Sequence, residues 1–124
     1  MRINVLALGG VFDLGLSAVL DAFQTANELI EMAELKMPLF DVCIVGVRKV
    51  VRTSHRLYVP CVPVEDAGVP DCVVVPAIGY KVPGPLEIAL RRPDIADAGD
   101  ALRQWARRGA CLLYTSDAAD DLTR

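Results

Sequence analysis

The sequence predicts an α/β protein built on an open, doubly wound parallel sheet, and three observations carry that expectation. Short stretches at 2–8, 40–47 and 72–75 are apolar on nearly every residue, as strands buried on both faces are. Between and after them the apolar period lengthens to that of amphipathic helices, at 14–35 and again beyond Asp94. The chain is 124 residues long, 53% hydrophobic and 23% charged, which suits one domain with a real core and excludes general disorder.

The first strand runs over 2–8 and stops at Gly9 and Gly10, a pair that permits a tight turn into a helix. In the helix that follows, Leu16, Val19, Leu20, Phe23, Asn27 and Ile30 share one face, while Asp21, Gln24, Glu28 and Glu31 lie mostly opposite. It is expected to run to about Leu35, with Pro38 breaking helical geometry before the β-branched stretch 40–47.

From 50 to 63 the alternation weakens and Arg48, Lys49, Arg52, His55 and Arg56 are interleaved, which reads as an exposed hairpin or edge. Pro60, Pro63 and Pro70 lack a ladder donor and belong at strand ends or in loops. Residues 72–75, closed by Pro76, form a third central strand. Of 16 valines, 12 fall between Val42 and Val75, so the sheet-forming part of the chain is concentrated there.

Beyond Val82 alanine replaces valine, and a short helix is expected over 86–92. Asp94 then caps a further helix whose apolar face holds Ile95, Ala98, Leu102, Trp105 and Ala106. Arg103, Arg107 and Arg108 crowd its last turn and Gly109 follows, matching the macrodipole preference and a glycine terminator. Residues 110–114 make one more strand. In sheets of this kind ligands sit beyond the carboxyl ends of the strands, here at 9–13, after Val47 and at 77–80.

The net charge of −3 offers no electrostatic reason to approach a phosphate backbone, so the chain should not grip nucleic acid unaided. No apolar run approaches the ~20 residues of a membrane helix and no signal peptide is apparent, so a soluble cytoplasmic protein is expected. Cys43, Cys61, Cys72 and Cys111 are 18, 11 and 39 residues apart with a single histidine in the chain, a spacing poorly suited to zinc. They read as reduced thiols, mostly buried beside valines, with Cys111 buried at the start of the last strand.

The candidate ligand-binding residues are Gly10, Asp13, Gly79 and Tyr80. Gly9 and Gly10 serve a turn or a backbone anion site, although neither G-x-G-x-x-G nor G-x-x-x-x-G-K-[ST] is present. Asp13 serves as a helix cap or as an acid facing the cleft. The turn 76–80 either ends a strand or presents backbone donors to a ligand. His55 reads as a solvated side chain, because the sequence identifies no nucleophile or orienting acid for it.

After Tyr114 the pattern collapses, and LLYTSDAADDLTR at 112–124 resembles translated sequencing adapter at the end of a metagenomic reading frame, the alternative being a solvated tail. The division expected is therefore 1–111 as part of a domain and 112–124 as a non-native tail. Without 113–124 the chain holds 12 basic and 13 acidic residues, and its acidic balance all but disappears.

The ordered set NVLALGG (4–10), LSAVLDAFQTAN (16–27), FDV (40–42), DCVVVP (71–76) and ALRQWARRGA (101–110) resembles the amino-terminal domain of GlxA-type regulators in the AraC family. Those domains are similar in fold to class I glutamine amidotransferases and PfpI-type proteins. The resemblance implies a flavodoxin-like sensor domain, truncated to about half to two-thirds of its length, that answers an unidentified small-molecule effector. It implies DNA contact only through a carboxyl-terminal helix-turn-helix part outside this chain, no membrane association, and leaves homodimeric assembly of the full-length protein open. No cofactor is implied.

PfpI-type enzymes usually carry an early glutamate against an elbow cysteine, and a double glycine after the third central strand. This chain has Asp13 and the single Gly79 in those places. The resemblance therefore implies sensing and not catalysis, the alternative being a fragment of a PfpI-type hydrolase or aldehyde-processing enzyme.

Overall fold

The centre of the molecule is β1 (Arg2–Leu6), in which Ile3, Val5 and Leu6 are at most 1% exposed. A strand so fully covered must be sandwiched, and β1 pairs in parallel on both sides, with β2 (Asp41–Gly46) and with β6 (Cys72–Val75). The computed structural model describes residues 1–79, 84, 88 and 91–115, and the outer strands of its main sheet are β5 (Val62–Pro63) and β7 (Cys111–Tyr114). The sheet has the order β5-β2-β1-β6-β7 and is parallel throughout.

Side chains of β1 alternate between two apolar layers, as strand geometry requires. Ile3 and Val5 join Cys72 and Val74 under α1 (Asp13–Met32), whose Leu16, Val19, Leu20 and Phe23 pack on that layer. Leu6, with Val45, Val73 and Val75, meets Ala98 and Trp105 of α2 (Pro93–Arg107) on the opposite layer. One helix on each face is the doubly wound arrangement. Each fully buried Val, Leu or Ile contributes about 1.5–3 kcal/mol.

Two joints fix α1 to the sheet. Asn27 donates from Nδ2 to the Phe40 carbonyl at 2.9 Å and accepts from the Phe40 amide at 2.7 Å. Beside this pair the rings of Phe23 and Phe40 meet at 5.2 Å between centroids.

The helix ends before the expected Leu35, and Pro38 is not what stops it. Glu34 adopts a left-handed φ of 51° while the Leu35 amide returns to the Ile30 carbonyl at 3.0 Å, a turn that closes the last carbonyls. At the end of α2 the expected glycine does this work: Gly109 has φ 93°, and the Ala110 amide bonds the Trp105 carbonyl.

Neither expected aspartate cap is formed. Phe12 and Arg92 hold the N-cap positions of α1 and α2, so Asp13 and Asp94 already lie inside the helices. Their carboxylates turn to other partners, Asp13 to the hairpin and Asp94 to Arg92.

The segment expected as hairpin or edge is both. β3 (Val50–Arg52) and β4 (Tyr58–Pro60) pair antiparallel as a separate ribbon, and β5 then returns to the main sheet beside β2. Pro60 and Pro63 stand at the ends of β4 and β5, as expected. The expected short helix over 86–92 lies mostly outside the described residues, as do residues 116–124 of the expected tail. Residues 112–114 complete β7, in register with residues 73–75. Among the described residues no helix is long and apolar enough to cross a membrane.

Candidate ligand site

The connection from β1 runs to β2 on one side, whereas that from β6 runs to β7 on the other. A crevice therefore opens between the carboxyl ends of β1 and β6, the place where doubly wound sheets take ligands. Two glycines shape it. Gly10, at φ 83°, donates its amide to the Arg52 carbonyl and accepts at its own carbonyl from the Gly79 amide, both at 2.7 Å. Gly79 lies so close to the hairpin that an added Cβ would stand 2.5 Å from the Cβ of Ser54.

The loop 9–12 is thereby held from both sides by backbone bonds. The Ser54 amide donates to the Val11 carbonyl at 2.9 Å, and the Phe12 amide donates to the Ala77 carbonyl at 2.8 Å. Val11 itself is fully buried and bridges both Thr53 and Ile78. These contacts stand the β3–β4 ribbon over the carboxyl ends of the sheet. Beneath it lies a pocket of about 690 Å³, within the range usual for small-molecule sites.

Asp13 fastens this frame rather than facing the pocket. Its Oδ1 accepts from the Ser54 hydroxyl at 2.8 Å and from the His55 amide at 3.1 Å. Desolvation pushes the carboxyl pKa up, but hydrogen bonds from Thr53, Ser54 and His55, with the charge of His55, outweigh it and hold the value below the usual 3.8. An acid therefore does lie beside His55, which the sequence did not reveal. The three groups do not form a hydrolytic triad. The serine proton is directed at the aspartate, and the histidine joins through its backbone amide.

Of the expected site residues, Gly10 and Gly79 line the pocket, Asp13 braces its hairpin, and Tyr80 lies outside the described residues. The residues that sequence reasoning missed are basic. Arg48, Arg52, Arg56 and Arg92 line the pocket, with Asp94 as the one acidic residue of its wall among the described residues. Their alternation along 48–56 was visible, yet nothing in a single sequence says that the exposed ribbon folds back over the sheet.

Arg92 is already engaged: one guanidinium nitrogen donates to the Gly9 carbonyl at 2.6 Å, and its Nε lies 3.1 Å from Asp94 Oδ1. Arg52 sits 5.8 Å from the centroid of the Tyr58 ring, a cation–π contact. Among the described residues no cysteine lines the pocket. Cys72 is buried, Cys43 and Cys61 are half-buried, and Cys111, contrary to expectation, is exposed because nothing among the described residues covers its face of edge strand β7.

The geometry can be set beside known proteins. No protein-family profile and no curated protein matches the sequence significantly. Among solved structures, an AraC family transcriptional regulator from Pseudomonas putida superposes with a TM-score of 0.66 at 16% identity, over 91% of this chain and 54% of that one. A candidate transcriptional regulator from Vibrio parahaemolyticus gives 0.64 at 18%, over 92% of this chain and 55% of that one.

A candidate protease I from Bacteroides thetaiotaomicron gives 0.60 at 16%, over 91% and 61%. The fold is flavodoxin-like. That architecture is shared by these regulators and by the candidate protease. This flavodoxin-like chain spans 54–61% of the length of the three structures.

Proposed function

We propose that the chain is the ligand-sensing portion of a bacterial transcription regulator of the AraC family, GlxA-type, acting in the cytoplasm. Its DNA contacts would be made by helix-turn-helix elements beyond this chain. The observation that carries the reading is the pocket at the topological switch point, walled by the turn after β1, the ribbon and the turn after β6. The likeness in fold to two regulators supports it.

Occupation of that pocket would reposition the ribbon, which is tied to α1 through Asp13. Control of a distant DNA-binding part then requires that ligand bind two arrangements of the protein with different affinity. A non-catalytic role is supported by the lining, which among the described residues offers no cysteine, and by the engagement of the Ser54 proton with Asp13.

The likeness to a candidate protease I favours a second reading, a PfpI-type hydrolase. Sequencing the source locus past codon 112 separates the two. The regulator reading expects an elbow, about two more βα units and paired helix-turn-helix elements. A frame that stops after the sheet, with a cysteine elbow and a nearby histidine, supports the hydrolase and ends the regulator reading.

A further inference from the structure

We infer that the pocket under the ribbon takes a small organic anion, one with a carboxylate or phosphate head on an apolar body. This rests on the reading of the crevice as a sensing site and adds the chemical class of what is sensed. The chain as a whole carries −3, yet among the described residues four guanidinium groups line this pocket against a single carboxylate. That carboxylate, Asp94, is paired with Arg92.

The other three arginines, Arg48, Arg52 and Arg56, are exposed and have no acidic partner among the described residues. They stand on one ribbon and its approach, so they form a positive wall facing the turn at Gly9 and Gly10. Guanidinium groups present paired donors that fit the planar oxygens of a carboxylate or the oxygens of a phosphate. Such surplus positive charge costs stability through self-repulsion unless an anion offsets it.

The rest of the wall is apolar or aromatic. Leu8, Val47, Val50, Val51 and Tyr58 line the same space, which suits a hydrocarbon or ring behind the charged head. A bare inorganic ion would leave most of a pocket of about 690 Å³ unfilled.

Calorimetric titration of the 124-residue chain with benzoate, phenyl phosphate and the neutral isostere benzamide tests this. The charged probes should bind at least about tenfold more tightly than benzamide, since hydrogen bonds to ionised groups are worth more than neutral ones. Their relative affinities separate a carboxylate head from a phosphate head. Rising salt should weaken the anions and leave benzamide unchanged.

In the Arg52→Gln/Arg56→Gln variant the advantage of the anions should fall by about tenfold or more. Arg48→Gln, tested alone, should lower it as well, and provides the reading should the double variant not fold. Arg103→Gln, on α2 and outside the pocket wall, should leave it intact. Equal binding of benzoate, phenyl phosphate and benzamide, or anion binding indifferent to all the ribbon variants, overturns the inference. Anion binding that has no effect on DNA binding by the protein encoded by the uninterrupted locus overturns the regulator reading and leaves the anion site standing.

Discussion

The hydroxyl of Ser54 donates to Asp13 Oδ1 at 2.8 Å, joining the tip of the β3–β4 ribbon to the first turn of α1 across 41 positions of sequence. The His55 amide adds a second bond to the same oxygen. This carboxylate adds a side-chain tie to the backbone bonds that Arg52 and Ser54 make with Gly10 and Val11. Replacing Asp13 by Ala should therefore speed hydrogen exchange at the His55 amide while leaving the amides of β1 and β6 protected. Unchanged exchange at His55 would show that the bond does not hold the ribbon.

The same carboxylate makes the ribbon sensitive to acid. Asp13 titrates below its ordinary 3.8 in the folded protein, so the unfolded chain takes up the proton first. Its contribution to stability is complete above that value and is lost as pH falls through the lower folded value. Chemical unfolding at a series of pH values should show the native protein more stable than Asp13→Asn near neutrality, with the two converging below about pH 4. A difference that persists or widens in acid contradicts the assignment.

Gly79 is required by space. An alanine methyl at 2.5 Å from the Ser54 Cβ must push the ribbon away from the turn after β6. Gly79→Ala should cost about 1–3 kcal/mol, the range for overpacked sites, seen as a lowered thermal midpoint. No loss of stability would mean that the two segments are not in contact.

Asn27 closes both polar groups of the Phe40 backbone, so its removal leaves a partly buried donor and acceptor without partners. Asn27→Ala should destabilise by about 1–3 kcal/mol. Gln24→Ala, which removes an exposed bond to Glu28 four residues along the same helix, should cost no more than about 0.5 kcal/mol. Equal losses in denaturant titrations would remove the distinction.

Thiol accessibility offers a further check. Burial, with Cys111 alongside, pushes the Cys72 thiol up, and burial, with Cys43 nearby, does the same for Cys61. Less thiolate and less access both slow alkylation. Iodoacetamide followed by peptide mass spectrometry should label Cys111 first and Cys72 last. Early loss of the Cys72 thiol would contradict the packing of β6 in the core.

The sheet was legible because its strands are buried on both faces. Residues 72–75 carry four apolar side chains between punctuating Pro70 and Pro76, and the strand occupies those four positions. The helix faces were equally plain from the spacing of Leu16, Val19, Leu20 and Phe23. What escaped depends on tertiary contacts that leave no periodic trace. The caps failed because Asp13 finds Ser54 and Asp94 finds Arg92, partners that local spacing does not weigh.

The two-residue β5 is too short for any pattern and exists through its pairing with β2. The glycines of the site were found from turn chemistry, and the ribbon arginines were noticed yet assigned to solvent, because their place in the pocket wall arises from the folding of the ribbon over Gly10.

The most direct test of a ligand crevice between the carboxyl ends of β1 and β6 is a titration of the isotopically labelled chain with benzoate or phenyl phosphate, followed by amide NMR. Shifts concentrated at Gly10, Arg52, Ser54 and Gly79 are the predicted result. Shifts concentrated instead in the groove between α1 and β2, at Gln24, Asn27 and Val42, would contradict it.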